Sequence, residues 1–133
     1  MDIQERIDRF LEGTPFAVAG ASTDRAKYGN KVLRCYQQAG RVVFPLNPRE
    51  EEVEGERAYA SLDDLPEVPH GLSIVTPPPI SLALLEDAAR LGIEHVWLQP
   101  GAEDAAVLER GRELGLELIA GGPCLLVELG FPT

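Results

Sequence analysis

A glycine-led turn, Gly20-Ala21-Ser22-Thr23, followed closely by Arg25, Lys27 and Gly29, has the chemistry of a phosphate cradle. Gly20 lets the chain turn tightly and brings its amides close to an anion, because no Cβ stands in the way. Ser22 and Thr23 add hydroxyl donors. A helix capped by Asn30 would turn its positive end toward the same place. Arg25 and Lys27 can pair with phosphate oxygens, the guanidinium with two at once. Gly20 alone would be explained by an ordinary strand-to-helix turn; the surrounding charge strengthens the phosphate reading. Between Arg25 and Arg49 there is no Asp or Glu, yet Arg25, Lys27, Lys31, Arg34, Arg41 and Arg49 all fall there, in a chain of net charge −10. A local cationic segment in an acidic protein suits a small polyanion. The overall acidity argues against nucleic acid or an anionic membrane as partner.

The familiar phosphate ligands are disfavoured one by one. Gly20 and Gly29 are the only glycines of the loop, so the G-x-G-x-x-G fingerprint is absent, and no G-x-x-x-x-G-K-[ST] occurs. A nicotinamide dinucleotide also wants an acid after the second strand, where Pro45 to Asn47 are neutral and acids start only at Glu50. Metal chemistry has little to stand on: Cys35, Cys124, His70 and His95 are solitary and lack ligand spacing. For covalent chemistry Cys124 is the one candidate nucleophile, with Glu128 as a neighbour, and a packing role accounts for it more simply. No catalytic residue is assigned on these grounds. His70 and His95 are expected away from the ligand crevice.

Short apolar runs alternating with amphipathic stretches must position this loop. Helices are expected over 2–12, from Asn30 to Gln38, from the prolines after Thr76 to Leu91, and over 102–114. Strands are expected at 16–19, 41–44, 72–75, 95–98 and 116–119, with the polar stretch 49–55 as a surface loop and a short capped turn at 62–65. Strand–helix alternation with no linker or repeat implies one domain over residues 1–133: α/β, Rossmann-like, doubly wound around a mainly parallel five-stranded sheet. Ligands of such sheets lie at the carboxyl ends of the strands. No run nears the roughly 20 apolar residues of a membrane span, and the N-terminus has no signal-peptide core, so a cytoplasmic location is expected.

The linked set Val18-Ala19-Gly20-Ala21-Ser22 with Lys27 and Gly29, Pro45-Leu46-Asn47-Pro48, Gly55 with Tyr59-Ala60-Ser61-Leu62, Trp97-Leu98-Gln99-Pro100-Gly101 and Gly122-Pro123-Cys124-Leu125 resembles the CoA-binding domain family across nearly the whole chain. The family includes small stand-alone CoA-binding proteins and the N-terminal domains of succinyl-CoA synthetase α subunits and of nucleoside-diphosphate-forming acyl-CoA synthetases. The resemblance implies coenzyme A as cofactor, its diphosphate on Gly20, Ala21 and Ser22 with Arg25 and Lys27 as basic partners. It further implies that Asn47 and Pro48, Thr76, Pro77 and Pro78, and Leu98, Gln99 and Pro100 line the adenosine and pantetheine course. The phosphorylated histidine of the synthetases belongs to a second domain, for which 133 residues leave no room. The expectation is therefore a non-catalytic binder of CoA or acyl-CoA: a carrier, a sensor, or a partner subunit, with a homodimer equally open. The alternative is an NAD(P)-dependent oxidoreductase with a degenerate phosphate loop.

Overall fold

The alternation of apolar runs and amphipathic stretches resolves into a parallel sheet wrapped on both faces. A computed structural model describes residues 2–131. In chain order the elements are α1 (Ile3–Leu11), β1 (Phe16–Ala19), α2 (Tyr28–Gln38), β2 (Val43–Leu46), β3 (Glu52–Val53), β4 (Glu56–Arg57), a 3-10 turn (Leu62–Asp64), β5 (Gly71–Ile74), α3 (Pro78–Leu91), β6 (His95–Leu98), α4 (Ala105–Glu113), β7 (Glu117–Ile119) and α5 (Leu125–Glu128). The main sheet has five strands in the order β2-β1-β5-β6-β7, and every pairing within it is parallel. The winding direction reverses between β1 and β5, which sets the switch point there. The expected α/β, doubly wound, five-stranded fold is the one observed. Among the described residues no helix is long and apolar enough to cross a membrane.

Alternation along β1 divides the core into two layers. Phe16 and Val18 pack with Ile7, Phe10, Val32, Leu33, Tyr36, Trp97 and Leu125, under α1, α2 and α5. Ala17 and Ala19 face the other way, with Leu72, Ile74, Leu85, Val96 and Val107 under α3 and α4. Two polar pairs are buried in the first layer, where water cannot serve them: the Tyr36 and Ser73 hydroxyls lie 2.7 Å apart, and the Trp97 indole donates to the Pro123 carbonyl at 3.0 Å. His70 and His95 sit together at the amino end of the sheet, ring centroids 4.5 Å apart, with His95 beside Glu117. That is the opposite end from the loops that follow the strands.

Three expectations are corrected. The second strand runs from Val43 to Leu46 rather than from Arg41 to Phe44, and Pro45 lies inside it. β2 is an edge strand, where a missing N–H is tolerated. The stretch 49–55 is not a plain loop: β3 and β4 form an antiparallel hairpin. Its two turn residues, Glu54 and Gly55, have φ of 49° and 79°, the positive values that a type I′ turn demands. Asn30 does not cap α2, which starts two residues earlier behind Lys27; it is fully buried instead.

Candidate ligand-binding site

Everything about the site follows from how the chain leaves β1. Gly20 has φ +93°, and a Cβ there would lie 2.6 Å from the Val75 carbonyl oxygen. Gly29, in the first turn of α2, packs directly on this turn, so that a Cβ on it would overlap the Gly20 carbonyl oxygen. Two glycines thus let the β1 exit, the β5 exit and the start of α2 converge without side chains between them. That is close backbone packing of the kind a phosphate loop needs.

Two asparagines then set the orientation of the loop. The Asn47 amide donates to the Ala21 carbonyl at 2.9 Å, while its oxygen accepts from the Arg49 N–H at 2.8 Å. The Asn30 amide donates to the Ser22 carbonyl at 2.8 Å and to Glu54 Oε2 at 3.0 Å, and its oxygen accepts from Arg34 Nε at 2.7 Å. With the Ala21 and Ser22 carbonyls tied back into the protein, the peptides between them and their successors turn their N–H groups the other way. Among the described residues no protein acceptor is bonded to the amides of Ala21, Ser22 or Thr23. Successive free amides of this kind form an anion-binding concavity. The nearby N-terminus of α2 has no side-chain cap and no acid in its first turn, so its dipole is uncompensated.

A cavity of about 830 Å³ opens in front of this loop. Its lining includes Gly20, Ala21, Ser22, Lys27, Asn47, Pro48 and Thr76 from the expected set. It also contains residues that the sequence reading did not single out for contact: Tyr28, Arg49, the Ala60–Leu62 stretch, and Ile80, Ala83, Leu84 and Asp87 of α3. Tyr59-Ala60-Ser61-Leu62 was visible only as a piece of a motif; the α3 positions recur at helical spacing but look like core until the opposite wall is known.

The remaining expected residues are placed differently. Arg25 is outside the cavity, mostly exposed, and 3.5 Å from Glu54 of the hairpin. The acid-free segment is therefore partly neutralised by an acid from outside it. Arg34 stacks on Phe131 and Arg41 lies over Phe16, which leaves Lys27 and Arg49 as the cations of that segment that line the cavity. Pro77 caps α3 and Pro78 opens it, both just outside the lining. Leu98 is completely buried in the core and Pro100 is exposed.

Gln99 belongs to a second, smaller cluster. Its Oε1 accepts from the Tyr28 hydroxyl at 3.3 Å and from the Leu125 N–H at 3.0 Å. The Tyr28 hydroxyl also meets the Cys124 thiol. Since the phenol's single proton goes to Gln99, the thiol donates to the phenol oxygen. Burial, then the contact with Cys124, pushes the Tyr28 pKa well up, so the phenol remains a neutral donor. Cys124 therefore faces a phenol, whereas an activated nucleophile needs a base beside it. Burial, helped by the nearby Cys124, pushes the Cys35 thiol up to about 11. Native protein treated with iodoacetamide at about pH 8 is expected to carry label on partly buried Cys124 well before buried Cys35. Peptide mapping reads this, and equal labelling rates would contradict the placement of Cys35.

Residues 14–130 match the model of a family described as CoA binding domain. A curated relative, the α subunit of ADP-forming acetate–CoA ligase II from Pyrococcus furiosus, is 34% identical over 91 residues, which are 68% of this chain and 20% of the ligase subunit. The chain thus corresponds to a small part of that relative's length. Among solved structures, a conserved hypothetical protein from Pyrococcus furiosus superposes with a TM-score of 0.81 at 34% identity, covering 87% of this chain and 99% of its own. A Thermus thermophilus protein superposes with a TM-score of 0.85 at 33% identity, covering 96% of both chains.

Proposed function

The chain belongs to the CoA binding domain family, and from that premise we propose that it binds coenzyme A or acyl-CoA as a non-catalytic module. In that role it serves as a carrier, a sensor or the partner of another subunit. The observation that carries the reading is the row of unengaged amides at Ala21, Ser22 and Thr23, the last two held open by Asn47 and Asn30. A diphosphate accepts several N–H donors at once, and the uncapped start of α2 adds its dipole. Lys27 and Arg49 flank this row in the cavity and suit the extra phosphate that CoA carries on its ribose. The β2 exit supports CoA over NAD: Asn47 has both ends of its side chain engaged, and no carboxylate lines the cavity there to hold a ribose diol.

Thermal-shift and calorimetric titrations with CoA, acetyl-CoA, NAD and NADP test the reading. CoA and acetyl-CoA are expected to stabilise the protein, by mass action on the folded state. Stabilisation by NAD without stabilisation by CoA would overturn it. Lys27→Ala is expected to weaken CoA binding by roughly 1–3 kcal/mol, the range for a hydrogen bond to a charged group. Arg25→Ala should change affinity far less, because its guanidinium is already beside Glu54. An affinity for CoA unchanged by Lys27→Ala would remove that lysine from the site.

A further inference from the structure

The cavity has a second half, and its composition is unlike the first. Beyond the amide row it becomes an apolar slot, with Leu62 on one wall and Ile80, Ala83 and Leu84 of α3 on the other. Ile80 is 53% exposed, a large apolar side chain left uncovered inside a ligand cavity. At the end of this α3 stripe, at the i+7 position from Ile80, stands Asp87. It is the only carboxylate in the cavity lining, and an acid is an unexpected guest in a site suited to a polyanion.

The ion pairing around Asp87 leaves part of it unused. Arg90 grips Asp63 with two bonds of 2.9 Å and gives Asp87 a single contact, from Nη2 to Oδ1 at 3.2 Å. That bridge links the 3-10 turn to α3 at the protein surface. Among the described residues, no donor is bonded to Asp87 Oδ2.

We propose that Asp87 reads the exocyclic amine of an adenine base lying in this slot, and so sets the base preference of the protein. The inference rests on the CoA reading above. With the diphosphate on the Ala21–Thr23 amides, the nucleoside lies on the β2 side of the switch point, where the cavity is. A flat ring covers Ile80, Ala83 and Leu84 and brings its amine to the far end of the slot. One free carboxylate oxygen suits one N–H donor. Guanine, which presents two donors side by side, would need both oxygens, and Arg90 holds one of them. A 6-oxo group at the same place would put acceptor against acceptor, which is how such sites reject a near-isostere.

The test compares CoA with its 6-deamino (hypoxanthine) analogue on wild type, Asp87→Ala and Asp87→Asn by calorimetry. Wild type is expected to bind CoA roughly tenfold more tightly than the analogue, the scale of one hydrogen bond to a charged group. Asp87→Ala should lose about that factor for CoA and bind the two ligands equally. Asp87→Asn keeps the shape of the side chain, but with its oxygen held by Arg90 it turns an N–H donor toward the ring; it should abolish or invert the preference, and it guards against loss of fold as the explanation. CoA binding with the same preference in Asp87→Ala as in wild type would overturn the role of Asp87 alone. Absence of CoA binding to wild type would overturn the parent reading, and this one with it.

Discussion

Gly29→Ala is expected to destabilise the protein by about 3 kcal/mol, the upper range for overpacking at a well-packed site, and to abolish measurable CoA binding. The added methyl group would be helix-compatible, and on propensity alone it would stabilise α2 by up to about 1 kcal/mol. Packing decides the sign. The new Cβ would overlap the Gly20 carbonyl oxygen and crowd the carbonyl carbon behind it, and backbone is not the movable end of a flexible side chain. Gly20 cannot retreat, since it is itself wedged against the Val75 carbonyl at φ +93°. Relief therefore comes only from moving α2 away from the sheet or from remodelling the turn, and either one disperses the amides of Ala21 to Thr23. The expected melting temperature falls by roughly 10 °C, from the entropy scale of a domain this size. Gly40→Ala is the control: a Cβ there meets nothing within 4 Å, though its φ of +73° makes a small loss certain. A Gly29→Ala protein with wild-type melting and CoA affinity would mean that the close approach of α2 to the turn is not needed.

Gly20 and the alternation of strands and helices around it were legible in the sequence because they rest on local rules. A four-residue apolar run closed by glycine, a proline-opened helix at Pro78 and a helix stopped by Gly92 with φ +82° each declare themselves without tertiary context. What was not legible depended on distant partners. The Glu54–Gly55 turn lacks the Asn-Gly or Asp-Gly signature of a two-residue hairpin; it is held from outside, by Gln37 donating to the Glu54 carbonyl at 3.0 Å and by burial of Val53. That same hairpin delivers the carboxylate that occupies Arg25, so counting charges along the segment overstated the cations available to a ligand. Residues on α3 were invisible as ligand contacts for a related reason. Ile80, Ala83 and Leu84 have the spacing of a core-facing stripe, and only the position of the Ala60–Leu62 stretch shows that part of it faces a cavity. Leu98, read as a contact from its place in a motif, is the last residue of β6 and points into the core.

Asn30 shows most clearly how a buried amide can govern a site without touching a ligand. It is fully buried and holds three parts of the molecule together: the Ser22 carbonyl of the loop, Glu54 of the hairpin and Arg34 of α2. Asn30→Ala removes the donor to a carbonyl and leaves Glu54 and Arg34 each short of a partner. Its three partners are only partly buried, so water replaces these bonds in part and a loss of about 2 kcal/mol is expected in urea or thermal unfolding. CoA affinity should fall more than about tenfold, because the Ser22 peptide is then free to rotate its carbonyl toward the phosphates. Asn30→Asp separates this account from one of simple packing. It keeps the volume and the acceptor for Arg34, but it faces a carbonyl oxygen and the Glu54 carboxylate where an amide had donated. The introduced carboxyl keeps the Arg34 bond, but full burial, the Ser22 carbonyl and the Glu54 carboxylate all oppose its charge, so its folded-state pKa is expected above the unfolded value of about 3.9. The folded protein then holds the proton more tightly than the unfolded chain, and stability falls as pH rises above about 4. Asn30→Asp should therefore melt below Asn30→Ala at neutral pH and recover relative to it on acidification, with CoA affinity following the same order. Equal pH profiles for the two variants would mean that Asn30 fills space there rather than aiming the loop.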